Sequence, residues 1–218
     1  MSTNGTIFLA DDDLNVLHTL ERLLMAVGYQ VRPFDAAELF QARPKAEPPC
    51  CVILDLNLCP SSWLDLQCQL SREVPMPVIF LTDCSDVRQS VQAMKAGACD
   101  FLMKPVQKDE LLSAVRFALR QSKLQWEEIR TRCEIRNRYR TLTPREQDVL
   151  PFIVRGFLNK QTAYELGTAE ITIRIHRGNI MKKMKADSLA DLIRFADRLG
   201  IPQGLSRHTM AFAEYAGV

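Results

Sequence analysis

Four polar features stand where apolar runs end. Asp11, Asp12 and Asp13 follow the run 7–10, Asp55 follows 50–54, Thr82 follows 78–81, and Lys104 follows 100–103 with Pro105 next to it. An aspartate carboxylate is a nucleophile toward phosphoryl groups. Carboxylates that converge repel each other unless a cation sits between them, and the hard, oxygen-preferring cation that keeps some waters is Mg²⁺. A lysine ammonium at the same rim can neutralise phosphate charge, and a threonine hydroxyl can donate to a phosphoryl oxygen. A run of three aspartates alone would be surface acids or a helix N-cap. All four features together read as an aspartate phosphorylation site with its metal.

The elements that must position these groups follow from the pattern. Residues 1–120 alternate short apolar runs (7–10, 30–34, 50–54, 78–81, 100–103) with helical stretches (14–27, 36–42, 62–71, 86–96, 108–119). Five such repeats predict a five-stranded, doubly wound parallel sheet with helices on both faces and right-handed crossovers. In such a sheet ligands bind beyond the carboxyl ends of the strands, where the strand order reverses. Gly28 and Gly97 mark helix ends. Residues 121–140 are polar and free of Gly and Pro, which predicts an exposed linker helix continuing from the last helix of the α/β domain.

Residues 141–200 predict a small all-helical domain. Thr143-Pro144-Arg145-Glu146 is a capping box with proline at the first helical position. Gly156 and Gly167 separate two short helices, 172–184 forms a third, and 188–199 a fourth that Gly200 and Pro202 end. Pro151 falls inside the first of these helices and should kink it. The tail, 201–218, has no clear pattern.

The strand-end residues, read with their surroundings, resemble a known family. LADDD, VILDL, FLTD and AGACDFLMKP are similar to the receiver domain of two-component response regulators, and the spacings fit: 43 residues from Asp12 to Asp55, 27 to Thr82 and 22 to Lys104. The resemblance implies a flavodoxin-like receiver in which Asp55 accepts a phosphoryl group from a sensor histidine kinase. It implies Mg²⁺ held by Asp12, Asp55 and the main-chain carbonyl of Asn57, with Asp11 acting through water. It assigns Lys104 to the phosphate, Thr82 and Phe101 to the switch, and a cis bond to Lys104-Pro105. The resemblance further implies that on phosphorylation Thr82 and Phe101 move and that the face formed by helices 86–96 and 108–119, which usually dimerises in the family, changes shape. Two departures stand out. Cys59 and Trp63 replace a usual Pro and Gly, with Pro60 displaced by one, and Asp83 adds a negative charge beside the incoming phosphate. Both should slow phosphorylation or alter its lifetime.

The second domain carries its own resemblance. Leu142 to Glu146, Gly156, Asn159-Lys160, Ala163, Leu166-Gly167 and Thr172 to Arg177 resemble the LuxR-type helix-turn-helix of NarL/FixJ regulators, nearest the FixJ-like subgroup. About 55 residues match here and roughly 190 of 218 in all. Ile173, Ile180 and Met184 have core spacing on the second helix. Arg174, Arg177, Lys182, Lys183 and Lys185 offer charge to phosphates. The family's base-reading face falls on Arg174, which can read guanine, Ile175, which offers apolar contact to a thymine methyl, and Gly178, which has no side chain to read with. Lys160 and Thr172 complete the expected DNA-binding set, while Lys160 and His176 suit phosphate contact or packing. Thr162 and Thr168 stand where the family prefers isoleucine and should weaken packing slightly.

Bulk properties agree. The net charge of +2 conceals an acidic first part, −4 over residues 1–120, and a basic second part, +6 over 121–218, so only the second suits a polyanion. Seven cysteines without a CxxC pair, and three scattered histidines, predict no zinc site and a reducing compartment. No apolar run reaches a membrane-spanning length and no secretory signal opens the chain. The expectation is a cytoplasmic transcription factor, not a dedicated enzyme, that is phosphorylated at Asp55 and then dimerises on an inverted-repeat site in double-stranded DNA, with RNA polymerase as a possible further partner and no membrane. One alternative is a receiver that works without phosphorylation, as a dimerisation or docking module, which Trp63 and Asp83 motivate. Another is a Mg²⁺-dependent phosphohydrolase, for which the sequence shows no substrate pocket.

Overall fold

Continuous apolar runs must be covered on both faces of their sheet. The computed structural model describes residues 4–34, 49–58, 76–83, 94–95 and 97–201. In it, strands β1 (Thr6–Ala10), β3 (Cys50–Asp55) and β4 (Val78–Thr82) are buried at every position. β2 (Gln30–Phe34) and β5 (Asp100–Met103) flank them. The order is β2-β1-β3-β4-β5 and every neighbouring pair is parallel. The order reverses between β1 and β3, so the crevice expected for a ligand opens there, at the ends carrying Asp11 and Asp55.

Alternate side chains feed two cores. Ile7, Leu9, Cys51, Ile53, Ile79 and Leu81 pack against helix α1 (Leu14–Ala26) and the start of helix α2 (Lys108–Arg140). Phe8, Cys50, Val52, Leu54, Val78 and Phe80 form the core on the other face. The Asp13 carboxylate caps α1 by accepting from the Asn15 amide at 2.8 Å. The edge strand β2 is partly exposed and contains Pro33. The expected helices at 36–42 and 62–71, most of 86–96, the residues Cys59, Pro60 and Trp63, and the tail beyond residue 201 lie outside the described residues.

The chain divides into two compact units, Met1–Glu128 and Ile129–Val218. The division falls within α2, which is one helix from Lys108 to Arg140. The stretch 121–140 is helical and mostly exposed, as its polar composition predicts, with two buried exceptions. Ser122 is buried in the first unit, where its hydroxyl accepts from the buried Cys50 amide at 3.1 Å. Ile135 is buried in the core of the second. Polar composition set the expectation, but single residues facing inward at wide intervals anchor both ends of the stretch.

The second unit adds α3 (Pro144–Val154), α4 (Asn159–Glu165), α5 (Glu170–Met184) and α6 (Leu189–Leu199). The capping box is present in full: Glu146 N–H donates to Thr143 Oγ1 and Thr143 N–H donates to Glu146 Oε2. α3 runs through Pro151 to Val154 without ending there. Thr162 is buried, but its hydroxyl donates to the Leu158 carbonyl at 3.1 Å, so no polar group is stranded. Thr168 is exposed, so an isoleucine there would add nothing to the core.

Candidate functional site

Strand ends bring the first constellation together. Asp11 lies one residue past β1, Asp55 closes β3, Thr82 closes β4 and Lys104 follows β5. The Lys104 ammonium lies 2.9 Å from Asp11 Oδ2 and 3.0 Å from Asp55 Oδ2, both carboxylates being fully buried. Turn geometry holds the other oxygens: the Asp13 amide donates to Asp11 Oδ1 at 2.9 Å and the Asn57 amide to Asp55 Oδ1 at 3.3 Å. Burial pushes the Asp55 carboxyl above the usual range, and Lys104 and the Asn57 amide oppose that without reversing it. Burial acts to lower the Lys104 ammonium, but its two carboxylate partners outweigh this and raise it.

Asp12 is exposed at the mouth, and oxygens of Asp11, Asp12 and Asp55 all lie within 4.8 Å of one another. Three carboxylates face one ammonium, which leaves net negative charge and an all-oxygen donor set. These residues fit a small hard divalent cation. Thr82 is buried and its carbonyl accepts from the Lys104 amide at 2.8 Å, which ties the β4 and β5 ends together. Phe101 is half-buried against the second sheet core, and the Lys104-Pro105 peptide bond is cis. The sequence did not signal one contact: the Asn57 side-chain amide donates to the Asp83 carboxylate at 3.0 Å. Asp83 is therefore held at the rim by the side chain of Asn57.

The second constellation lies on α5. Ile173, Ile180 and Met184 are buried as spaced, and Arg174, Ile175, Gly178 and Lys182 are exposed on the other side. Thr172 and Arg177 are half-buried at the flanks, and Lys160 is exposed on α4. Lys183 does not present a free charge to phosphates. Its ammonium lies 2.6 Å from Glu146 Oε2, and the Glu146 side chain is only 3% exposed. Burial acts to raise the Glu146 carboxyl, but Lys183 and Thr143 hold it below its ordinary value. His176 is half-buried with Nδ1 turned inward, a packing position. Ala169 stands at the N-cap of α5 and offers no side-chain cap.

Comparison with known proteins follows this division. The family described as the response regulator receiver domain matches residues 7–116, and that of bacterial regulatory proteins of the luxR family matches 140–196. Nodulation protein W of Bradyrhizobium diazoefficiens is 41% identical over 209 residues, covering 95% of this chain and 92% of the relative. The chain belongs to the NarL/FixJ family of response regulators. Response regulator protein TodT of Pseudomonas putida is also similar, 41% identical over 89% of this chain and 86% of its own, as is the transcriptional regulatory protein FixJ of Bradyrhizobium diazoefficiens, at 34% over 92% and 98%. Among solved structures, response regulator StyR aligns with a TM-score of 0.76 at 38% identity over 88% of this chain and 98% of that one. Full-length FixJ aligns at 0.54 and 34%, over 92% and 100%.

This response regulator is a transcription factor with a receiver and a LuxR-type DNA-binding domain, in a family where control by phosphorylation is typical. Its two domains imply DNA and a kinase as partners, and receivers bind Mg²⁺ at acidic pockets of the kind seen here. No helix among the described residues is long and apolar enough to cross a membrane.

Proposed function

We propose that this response regulator takes a phosphoryl group on Asp55 and thereby gains affinity for DNA. In the transfer, the bond from phosphorus to a kinase histidine nitrogen breaks and one from phosphorus to an Asp55 carboxylate oxygen forms. The observation that carries the reading is the Lys104 ammonium bridging Asp11 and Asp55 at the carboxyl edge of the sheet. Asp12, Asp55 and the Asn57 carbonyl would hold Mg²⁺, with Asp11 acting through water. Bound there, the ion would neutralise charge that develops on the transferring group. Lys104 then pairs with the phosphate instead of with both carboxylates. Thr82 and Phe101 register the added charge of about −1.5 to −2, with Pro105 holding the loop behind Lys104.

The reading continues through the second domain. Residues 1–120 act as the receiver, 121–140 as the linker helix, 141–200 as the DNA-binding domain and 201–218 as a tail. Two phosphorylated copies pair in the cytoplasm and place two helix-turn-helix units on an inverted repeat, since two-fold protein symmetry calls for two-fold half-sites. Lys160, Thr172, Arg177 and Lys182 serve phosphates, and Arg174 and Ile175 serve bases. RNA polymerase would be met in that DNA-bound state.

The test is intact mass and solution size after incubation with Mg²⁺ and acetyl phosphate, for the wild type and Asp55→Asn. A phosphate-sized gain absent from the variant, with a shift to dimer, is expected. No gain in either protein overturns phosphorylation by this donor. It would favour the second reading, a phosphate-independent docking module, which rests on Asp83 standing at the rim and bonded to Asn57.

A further inference from the structure

We infer that Ile171 is a specificity-determining residue, and that with Ile175 it makes this protein select half-sites by their thymine methyl groups. The inference rests on the DNA-binding reading above and names the chemistry of that site. Ile171 lies outside the base-reading positions carried over from the family resemblance.

A lone exposed isoleucine needs no explanation. Here two occur four residues apart on α5, Ile171 56% exposed and Ile175 57% exposed. With Arg174 and Gly178 they occupy positions i, i+3, i+4 and i+7, which is one face of a helix. The buried Ile173, Ile180 and Met184 lie on the opposite face, so these isoleucines are not leftover core. Lys182 extends the same face toward the helix end, and it is exposed.

An apolar opening followed by basic residues, on the second helix of a helix-turn-helix, fits one occupant. The N-terminal residues of such a helix meet base edges in the major groove, and later positions meet the backbone. Ile171 is the second residue of α5. A butyl side chain cannot read a donor or acceptor. The one apolar group a standard base pair shows in the major groove is the thymine C5 methyl. Gly178 makes the contact reachable. A Cβ built there would meet nothing within 4 Å, so the face is open and the helix backbone can sit close to the groove floor. Arg174, between the two isoleucines, supplies guanine recognition. The half-site should therefore combine one guanine with two methyl-bearing positions.

The experiment uses the full chain, with and without acetyl phosphate and Mg²⁺. It selects sites from a random duplex library, then replaces each thymine of the selected half-site by deoxyuridine, which removes only the methyl. Affinities are measured for the wild type, Ile171→Ala and Ile175→Ala. Alanine favours helix, and the replaced side chains are exposed, so the variants fold. Deoxyuridine should weaken wild-type binding about four-fold at each of two thymines per half-site, the worth of one buried methyl. Ile171→Ala should lose sensitivity at one of these and keep it at the other, and Ile175→Ala should do the reverse. A half-site without thymine, or an Ile171→Ala protein as sensitive as the wild type at every thymine, overturns this inference alone. No enrichment of any duplex overturns the DNA-binding reading and this inference with it.

Discussion

Replacing Lys104 by methionine should turn the acidic pocket against the fold. The ammonium is shared by Asp11 and Asp55 at 2.9 and 3.0 Å. Without it, two fully buried carboxylates face each other with oxygens within 4.8 Å. Two unit charges at that separation repel by about 3.5 kcal/mol at an effective dielectric of about 20. The pocket can escape by binding a proton, which costs about 1.4 kcal/mol for each pH unit above the ordinary aspartate pKa, roughly 4 kcal/mol at pH 7 and 1.5 at pH 5. The variant should therefore lose about 3 kcal/mol at pH 7, and no more than about 1.5 at pH 5. The sign follows from linkage. Asp55 is already raised by burial, and losing Lys104 removes a group that opposes the rise. A raised carboxyl costs stability in full above its folded pKa, and the cost shrinks as pH falls below that value and is gone below the unfolded pKa. Saturating Mg²⁺ should recover most of the loss and should stabilise the variant more than the wild type. The assay is urea unfolding followed by tryptophan fluorescence, since Trp126 belongs to the first unit. A loss that is equal at both pH values and indifferent to Mg²⁺ would refute the charge argument.

Glu146→Gln should destabilise the second unit by about 2 kcal/mol through the weakened pair with Lys183. Because the wild-type carboxyl is held low, its contribution is present above the ordinary glutamate pKa and is lost as pH falls through the folded value. Circular dichroism in acid should show that loss in the wild type and not in the variant. Ala169→Ser should add about 1 kcal/mol to the same unit by capping α5, measurable by hydrogen exchange of that helix. Arg174→Ala should relax selection at one base position by about 1–3 kcal/mol. Lys182→Ala should instead weaken all duplexes alike and lower the salt dependence of binding; a sequence-selective loss would remove Lys182 from the backbone contacts.

Strands were the most legible part of the chain. Short apolar runs separated by helical patterns mark the strands of such a sheet, and 30–34 and 100–103 stand as expected while the other three differ by one residue. The pocket was legible because its members sit at strand ends or within two residues past them. Helix starts were harder. α5 begins at Glu170 rather than at Thr172, because Ala169 adopts the cap conformation without carrying a capping oxygen. The Lys183–Glu146 pair joins residues 37 apart, and no local pattern distinguishes a lysine that faces DNA from one that turns inward. The same blindness hid Ser122 and Ile135, the two buried residues of the otherwise mostly exposed stretch 121–140.

The two edges of the sheet have a consequence for how the chain behaves before it is finished. β2 is synthesised and exposed early, and its free side would offer a row of unpaired amides to any other nascent chain. Pro33 removes one of those donors from the edge, and Arg32 adds a charge. At the opposite edge β5 is only four residues long and opens with Asp100. Neither edge offers a long, flat, apolar template, so the sheet ends where it does and the protein resists open-ended aggregation while it folds.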